Sequence, residues 1–426
     1  MENFSIKLFR RVLGNYLKMN YLHSYIKKNY PTLFGIVKKS KKKYIKIKSI
    51  FIYFFFFPPA YVLSKLKIDL LTVNVARIGH LTFDSEAYIK ERILNDDKYV
   101  KPVMLAPYGG VANNEFLKYL LPYIHIVQNR FLCFLLRPLF SHPLCSVNSS
   151  RWGEERGTFR SFEIDARWEI EGRKGLSKLL PEHIAEGSKT LKLLGIPENS
   201  WFVCIHNRES GYSKNNHDFD QSFRNSQIAN YDLAINEIIR RGGWCIRMGD
   251  PTMEPISPRQ GLIDYAHSPY RSEVMDIYLC ASARAFLGSS SGLSLLATYF
   301  NVPVGAANLI PLANSIMQGR NNLTIPKLIT FKNHELVPFS HVLNSPVGSF
   351  RTSSEFLSSQ YSYQDNTPEE ILDLLEELLG DFETSNDQTY DHLQKKFRKL
   401  IEPHHWCYYG SGKIGAKFLF KYRELL

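Results

Sequence analysis

The stretch that decides the fold runs from Trp201 to Asp250. It opens with the apolar run Trp201-Phe202-Val203-Cys204-Ile205, which stops at His206-Asn207-Arg208-Glu209. After a polar loop and an amphipathic segment, a second apolar run ends in Arg247-Met248-Gly249-Asp250. Each run has the composition of a buried parallel strand and delivers an arginine and a carboxylate at its carboxyl end. Ligands bind at that edge of open α/β sheets, so we expect the functional site there.

Length and charge bound the class of protein. With 426 residues the chain is too long for one ordinary core, which predicts two domains with appendages. The net charge of +12 first suggests a nucleic-acid partner. However, residues 1–50 hold 13 Lys or Arg and one acid, and the remaining 40 basic and 40 acidic residues cancel. The charge belongs to an N-terminal arm, and we expect no nucleic-acid partner.

The arm, residues 1–65, predicts attachment to an anionic membrane surface. It combines apolar and basic residues at helical spacing, seven lysines between Lys38 and Lys48, and the apolar run Ile50–Leu63. That run is shorter than the roughly 20 residues that span a bilayer, and Pro58-Pro59 interrupts it. We expect a peripheral or monotopic element at the inner face of the cytoplasmic membrane. A helix packed on the globular body, or a true span, remains open. The widely spaced cysteines fit a reduced, cytoplasmic compartment.

Alternating strands and helices predict a Rossmann-like domain over residues 66–195. The strand Asp69–Val75 runs into a glycine turn at Gly79 and His80, and a helical pattern starts near Asp84. The irregular stretch from Phe140 to Arg173 predicts a loop. His80 is a candidate general base, because an imidazole titrates near neutrality. The alternative is a loop histidine that caps backbone groups.

A second Rossmann-like domain is predicted over residues 196–395, followed by a helical segment over 396–426. Gly288-Ser289-Ser290-Ser291-Gly292 separates a buried strand from an apolar helix, and a helix N-terminus of this kind holds anions. An ordinary serine N-cap is the alternative. Arg208 and Arg247 offer planar donor forks to a diphosphate, unless they pair with the neighbouring acids Glu209 and Asp250. The predicted diphosphate residues are Arg208, Arg247, Ser289, Ser290, Ser291 and Gly292.

The chain resembles a bacterial family whose genes occur with surface-polysaccharide genes. The members of that family are named glycosyltransferases by inference. The resemblance covers roughly residues 74–311. The motifs that carry it are Arg77-Ile78-Gly79-His80-Leu81, His206-Asn207-Arg208-Glu209-Ser210-Gly211-Tyr212, Arg224-Asn225, Tyr231, Gly242-Gly243, Arg247-Met248-Gly249-Asp250, Asp264-Tyr265, Met275-Asp276 and Gly288-Ser289-Ser290-Ser291-Gly292. The His-x-Arg element is also similar to that of fucosyltransferase-like GT-B enzymes, which implies that Arg208 contacts the donor diphosphate.

The resemblance implies a GT-B-like α/β fold, with two Rossmann-like domains that face each other across a cleft. It implies a glycosyltransferase that moves sugar from a nucleotide-sugar donor to a glycan or lipid-linked acceptor in surface polysaccharide biosynthesis. Arg208, Arg247 and the 288–292 turn would stabilise the departing diphosphate, the role that a metal plays in other enzymes, so we expect a metal-independent enzyme with no cofactor. His80 and Glu209 are the candidate catalytic bases. The other predicted substrate-binding residues are His206, Asn207, Tyr212, Asp220, Arg224, Asn225, Asp250, Asp264 and Gly79.

Two other functions stay open at this stage. Asp218-Phe219-Asp220 spells the DxD motif of metal-dependent glycosyltransferases, although it follows a polar loop and not an apolar strand. Loop capping is the alternative for these acids. The chain could also be a membrane-attached module that binds a sugar nucleotide or glycan without turnover.

Overall fold

The computed structural model describes residues 52–95, 100–148, 160–209, 220–314, 319–380 and 388–426. These residues form two compact units. The smaller unit contains the described residues up to Leu70 together with Phe134–Ser146, and the larger one contains Leu71–Cys133 with Val147–Leu426. Residues 1–51, most of the predicted arm, lie outside the described ranges.

The smaller unit is built around helix α1, Phe57–Lys65, whose two prolines occupy its first turn. Proline is tolerated there because its missing N–H would have no helical partner. The preceding segment is held by His142, whose Nε2 lies 3.1 Å from the Tyr53 carbonyl oxygen and whose ring stacks on the Tyr53 ring. None of the described helices combines the length and apolar character that a bilayer crossing requires.

The first sheet has four strands in the order β3-β2-β1-β4, and β2 pairs with β3 in parallel. Its strands are β1 Leu70–Thr72, β2 Val103–Leu105, β3 His125–Val127 and β4 Ser146–Asn148. The helices of this part of the chain are α2 Ile78–Leu94, α3 Leu117–Leu120, α4 Arg130–Leu136, α5 Arg160–Ile170 and α6 Pro181–Leu193. The predicted loop from Phe140 to Arg173 is wrong in two places, since it contains β4 and α5.

Helix α2 begins six residues before the predicted start near Asp84. Arg77 has an extended backbone at the N-cap position, and the Thr82 hydroxyl donates to the Ile78 carbonyl oxygen at 2.9 Å. Glycine disfavours helix, so Gly79 concealed this first turn in the sequence. Further along, the buried Lys90 Nζ pairs with Glu86 at 2.8 Å and Asp165 at 2.6 Å. These buried charges obscured the apolar pattern of the helix.

The second sheet has seven strands, and all its pairings are parallel. Their spatial order is β13-β10-β9-β8-β5-β6-β7. The strands are β5 Phe202–His206, β6 Trp244–Arg247, β7 Leu262–Asp264, β8 Ala285–Gly288, β9 Val304–Leu309, β10 Leu323–Pro326 and β13 Lys413–Ile414. A separate two-stranded antiparallel sheet is formed by β11 Leu328–Phe331 and β12 Tyr361–Gln364. The predicted parallel α/β class is confirmed.

Eight α-helices of the described residues accompany the second sheet. They are α7 Asp232–Arg240, α8 Glu273–Ser282, α9 Gly292–Tyr299, α10 Phe339–Leu343, α11 Ser353–Leu357, α12 Pro368–Leu378, α13 Gln388–Lys399 and α14 Ala416–Lys421. The last helix, α14, contacts α12. Lys417 Nζ bonds to Asp373 and Glu376 of α12, so α14 packs beside the second sheet.

The two sheets share a hydrophobic core. One buried cluster joins Leu71 and Met104 of the first sheet to Cys204, Ile246 and Phe286 of the second. The second sheet and most of the first belong to the larger unit, whereas Leu70 of β1 and Ser146 of β4 fall in the smaller one. The boundaries predicted at residues 195 and 395 stay predictions, because compactness alone does not divide this unit between the sheets.

Candidate active site

The site begins where the strand order of the second sheet reverses. Strand β5 lies between β6, which follows it along the chain, and β8, and chain order runs in opposite directions on the two sides. A crevice outside the carboxyl ends of such strands is the usual ligand site of a doubly wound sheet. His206 and Gly288 are paired neighbours at these two ends. A Cβ on Gly288 would stand 2.0 Å from the His206 carbonyl oxygen, so only glycine fits.

The serine-rich turn after β8 binds both to its own helix and to the neighbouring loop. The Ser291 hydroxyl accepts from the Ser294 N–H, and the Ser294 hydroxyl accepts from the Ser291 N–H, both at 3.3 Å. The serine N-cap that the sequence offered as an alternative is therefore present. The buried Ser289 hydroxyl accepts from the Arg208 N–H at 2.8 Å. Ser289 thus ties the loop after β5 to the loop after β8.

Arg208 and Arg224 come together at this edge. The Gln221 side-chain oxygen accepts from Arg208 Nη2 at 3.2 Å and from Arg224 Nη1 at 3.1 Å. Arg224 Nη2 donates to the Ser290 hydroxyl at 3.0 Å and to the Ser290 carbonyl oxygen at 3.3 Å. Within the described ranges, every hydrogen bond that Arg224 donates goes to a neutral oxygen. No carboxylate among the described residues therefore pairs with its positive charge.

Arg77 adds a third positive charge. Burial, and then the charges of Arg208 and Arg77, lower the pKa of Arg224 to about 10. Arg77 stands at the N-cap of α2 and is exposed. Like-charge proximity of this kind is unfavourable unless an anion compensates it. The three residues, named here the arginine cluster, were only partly predicted, because Arg77 was noted in a motif but not chosen as a site residue.

Two helix N-termini meet beside the arginine cluster. A Cβ on Gly79 would lie 3.0 Å from the Gly292 Cα, and a Cβ on Gly292 would lie 2.9 Å from the Gly79 nitrogen. Neither glycine is needed for a positive φ; both are needed because the backbones of α2 and α9 touch. The positive ends of the two helix dipoles are consequently adjacent. Together with the arginine cluster they form a strongly anion-attracting site.

Arg247 does not join this site. It is fully buried, and its guanidinium bonds to Asp264 Oδ1 at 3.0 Å, to Glu209 Oε1 at 3.2 Å and to the Glu254 carbonyl oxygen at 3.0 Å. The prediction that it holds a diphosphate is corrected on this ground, because no donor fork is left at the surface. Its partners are Glu209 and Asp264, and not the adjacent Asp250.

Several predicted substrate residues hold the fold around the site. Asn207 is buried and its side-chain nitrogen donates to the Ser226 carbonyl oxygen at 3.0 Å. The Asn225 carbonyl oxygen accepts from the buried Lys327 at 2.7 Å. Asp264 is occupied by Arg247, by the Ile256 N–H and by His267. Asp250 accepts from the Thr252 N–H at 2.8 Å. These contacts position the loops at the strand ends, and the substrate contacts expected of the four residues stay predictions.

His206 lies at the end of β5 in a positive environment. Burial, reinforced by the charge of Arg247, lowers the pKa of His206 to about 4. Its Nδ1 is buried and has no hydrogen-bond partner within the described part of the chain. The imidazole is therefore neutral near pH 7, and its unsatisfied nitrogen stands at the strand end where the ligand is expected.

Of the two acids of the DxD motif, the structure describes Asp220. Asp218, like Tyr212, lies outside the described residues. Asp220 is exposed and accepts from the Ser222 N–H at 2.9 Å, which holds its pKa below the ordinary value. This contact is that of a loop cap. Within the described ranges, no three His, Cys, Asp or Glu side chains lie close enough together to hold a metal ion.

The two candidate bases differ in their freedom. Both carboxylate oxygens of Glu209 are engaged, one by Arg247 and the other by the Glu254 N–H at 3.0 Å. His80 instead stands in the first turn of α2 with 51% of its side chain exposed. Its Nδ1 lies 3.2 Å from Asp84 Oδ2, so the carboxylate can fix the tautomer that leaves Nε2 to accept a proton. The sequence signal for Asp84 was its spacing of four residues from His80.

A separate open cavity of about 410 Å³ lies at the carboxyl edge of the first sheet. It is lined by the residues that follow β2 and β3 and by α3, among them Tyr108, Asn114, Lys118 and Gln128. The Asn114 side-chain oxygen is buried without a partner among the described residues. Aromatic, amide and charged groups together suit a polar ligand.

Comparisons with known proteins give fold-level likenesses only. No protein-family model matches this sequence, and no curated protein matches it. Solved structures similar to it include a family 9 glycosyl transferase from Veillonella parvula, with 13% identity, 52% of this chain and 60% of that chain covered and a TM-score of 0.27. The chain thus spans less than two thirds of that protein.

Two further neighbours are heptosyltransferases. The ADP-heptose lipopolysaccharide heptosyltransferase II of E. coli shares 11% identity over 73% of this chain and 98% of its own, with a TM-score of 0.37. The dodecameric iron-containing heptosyltransferase TibC, solved with ADP-D-β-D-heptose, shares 14% over 73% and 76%, with a TM-score of 0.38. At these TM-scores we base no functional inference on the likenesses.

Proposed function

We propose that this chain is a GT-B-like glycosyltransferase that uses a nucleotide-sugar donor and needs no metal ion. The arginine cluster and the N-termini of α2 and α9 would bind the donor diphosphate. The acceptor would be a glycan or a lipid-linked glycan of surface polysaccharide biosynthesis. The resemblance to the bacterial family supports the last point, which no other observation carries.

The proposal rests on the charge of Arg224, which no carboxylate of the described residues compensates. Its partners are Gln221 and Ser290, both neutral, and two other arginines lower its pKa. A diphosphate would supply the missing negative charge and accept from several planar donors at once. As the sugar leaves, negative charge grows on the diphosphate, and fixed positive groups stabilise that charge without reorganisation. A metal ion performs the same task in other transferases.

His80 would act as the general base and Asp84 as its positioning residue. The free Nε2 would take the proton of the acceptor hydroxyl as it attacks the sugar, while Asp84 stabilises the imidazolium that forms. His80 is adjacent to Gly79, at the contact between α2 and α9. Glu209 is the weaker candidate, because Arg247 and the Glu254 backbone occupy it.

The arm would hold the enzyme on an anionic membrane. The described part of it, from Tyr53 to Lys65, exposes Phe54, Phe55, Tyr61 and Val62. Seven lysines between Lys38 and Lys48 precede this exposed segment in sequence. Aromatic side chains at the interface together with nearby lysines attract a protein to anionic lipids. The open cavity of about 410 Å³ that follows β2 and β3, called here the acceptor cavity, would then bind the sugar of an acceptor held at the same membrane surface.

A donor screen tests the proposed function. Thermal shifts with ADP-, GDP-, UDP-, dTDP- and CMP-sugars should identify at least one diphosphate donor, since a ligand at 100 times its Kd adds about 2.7 kcal/mol. CMP-sugars, with one phosphate, should stabilise the protein less. Arg208→Ala should abolish transfer while the circular dichroism spectrum stays unchanged.

Three outcomes would contradict the proposal. Near-normal turnover of Arg208→Ala would remove the diphosphate assignment. Loss of activity in EDTA would favour the metal-dependent transferase. Donor binding without transfer or donor hydrolysis would favour the binding module.

A further inference from the structure

Helix α4, Arg130–Leu136, exposes nearly all of its apolar side chains. Phe131 is 67% exposed, Phe134 is 74% exposed, and Leu132 and Leu135 are each about half exposed. Phe131, Phe134 and Leu135 are three and four residues apart and therefore lie on one face of the helix. Cys133 is the buried residue of the helix, and its thiol reaches the Val127 carbonyl oxygen. Soluble monomers rarely leave such a helix uncovered.

The sequence on both sides of α4 carries basic residues and no acidic ones. Arg130 and Arg137 flank the helix and are exposed, and no Asp or Glu occurs from Phe116 to Gly153. The other part of the smaller unit shows the same bias, because no acid occurs from Asn3 to Ile68. An apolar face bordered by arginines, with Asp69 as the one acidic residue among the described residues of the smaller unit, is complementary to anionic lipid head groups above hydrocarbon.

The smaller unit exposes further apolar residues of its own. Phe54, Phe55, Val62 and Phe134 all belong to it and are all more than half exposed. The His142 contact with Tyr53 holds the segment of Phe54 to the segment that follows α4. The exposed aromatic residues of this unit are therefore held by ordered packing.

We propose that α4 inserts its Phe131–Phe134–Leu135 face into the interface of an anionic phospholipid membrane. This contact is separate from the N-terminal arm and does not depend on sugar transfer. It involves a helix of seven residues that lies in the plane of the surface and does not cross it. A second copy of the chain is the alternative occupant, and the experiment below distinguishes it.

Docking of α4 would also orient the acceptor cavity. Arg130 Nε donates to the Tyr108 carbonyl oxygen at 2.7 Å, and Tyr108 lines that cavity. The first turn of α4 therefore stands at the rim of the cavity. A lipid-linked acceptor could keep its lipid in the bilayer while its sugar enters there. This consequence rests on the proposed transferase function, whereas the docking itself does not.

Vesicle flotation of the full-length protein tests the docking. The probes are vesicles of phosphatidylglycerol with phosphatidylethanolamine, and vesicles of phosphatidylcholine alone. Phe131→Ser/Phe134→Ser should weaken partitioning to the anionic vesicles by about tenfold for each phenylalanine. The matched control is Ile170→Ser/Leu357→Ser, whose residues are 76% and 79% exposed elsewhere in the larger unit. It should bind like the wild type.

A third variant separates helix from arm. Glutamine at all seven lysines from Lys38 to Lys48 should weaken binding by itself, and the phenylalanine pair should weaken it further in that background. Urea midpoints and donor thermal shifts should be the same for the phenylalanine variant and the wild type. These readouts keep a failure of docking distinct from a failure of the transferase proposal.

Several results would overturn the inference. One is equal partitioning of the wild type and the phenylalanine variant; another is no binding of the wild type to anionic vesicles. A third is a dimer, seen by light scattering, that the phenylalanine variant dissociates while vesicle binding stays unchanged. That result would assign the face to a second copy of the chain.

Discussion

Replacing Arg224 with glutamine should weaken donor binding without destabilising the protein. Arg224 would give the diphosphate a charge-assisted hydrogen bond, which contributes about 1.5–3 kcal/mol. The nucleoside-diphosphate Kd should therefore rise about ten- to a hundredfold. Such a selective effect is expected only of a residue whose charge serves a ligand.

The stability of this variant follows from the lowered pKa of Arg224. A base with a lowered pKa in the folded state is less easily protonated there than in the unfolded chain. Below about pH 10 its charge thus costs folding free energy, and glutamine removes that cost. The lost hydrogen bonds to Gln221 and Ser290 contribute about 1 kcal/mol each, which acts in the opposite direction. We expect a net change within about 1 kcal/mol.

Arg247→Gln provides the matched control. Arg247 is fully buried between Glu209 and Asp264, and its removal leaves two carboxylates without their cation. Breaking a buried pair typically costs about 3–5 kcal/mol. Urea unfolding should show this loss, whereas calorimetric titration of the remaining folded protein should give a nucleoside-diphosphate Kd close to that of the wild type.

The comparison of the two variants decides the assignment. Equal destabilisation by both substitutions would show that Arg224 is a structural residue. An unchanged Kd in Arg224→Gln would remove it from the diphosphate site.

Two further predictions concern the same edge of the sheet. The pKa of His206 is lowered from 6.5 to about 4 in the folded protein, so the unfolded chain takes up the proton first as the pH falls. The free energy of unfolding should therefore decrease from pH 6.5 towards pH 4, by up to about 3 kcal/mol. In urea unfolding, His206→Gln should show a weaker dependence of this free energy on pH, and an unaltered dependence would refute the shift. Gly292→Ala places a Cβ 2.9 Å from the Gly79 nitrogen, so it should lower the free energy of unfolding by about 1–3 kcal/mol and weaken nucleoside-diphosphate binding. Normal stability and affinity of this variant would show that the two helix ends need not touch.

The strand-turn-helix units were predictable because their signals are local. The apolar runs that end at His206 and at Arg247 predicted β5 and β6, and the two strands end at those residues. The loop assigned to residues 140–173 failed because the signals of α5 are mixed. Its buried face includes Asp165, which is buried only because Lys90, distant in sequence, pairs with it. Such long-range compensation leaves no local pattern.

The candidate site was predictable in position but not in membership. Arg208 and Arg247 follow equivalent strands and look alike in the sequence. The strand order separates them, because β5 borders the reversal of the sheet while β6 lies beyond it. Arg77 and Arg224 come from a helix start and a loop that local reading does not bring together. The tertiary structure brings them close enough for the charge of Arg77 to contribute to the lowered pKa of Arg224.

The sequence by itself determined the parallel α/β class, the edge of the sheet that carries polar residues, and the confinement of the net positive charge to the arm. These properties follow from composition and from spacing along the chain, which local physics reads directly. Only the tertiary structure decided which arginine is left without a carboxylate, why Gly79 and Gly292 must lack side chains, and which apolar helix stays exposed. Each of those depends on what a distant segment places beside the residue, and burial and charge compensation are properties of that neighbourhood.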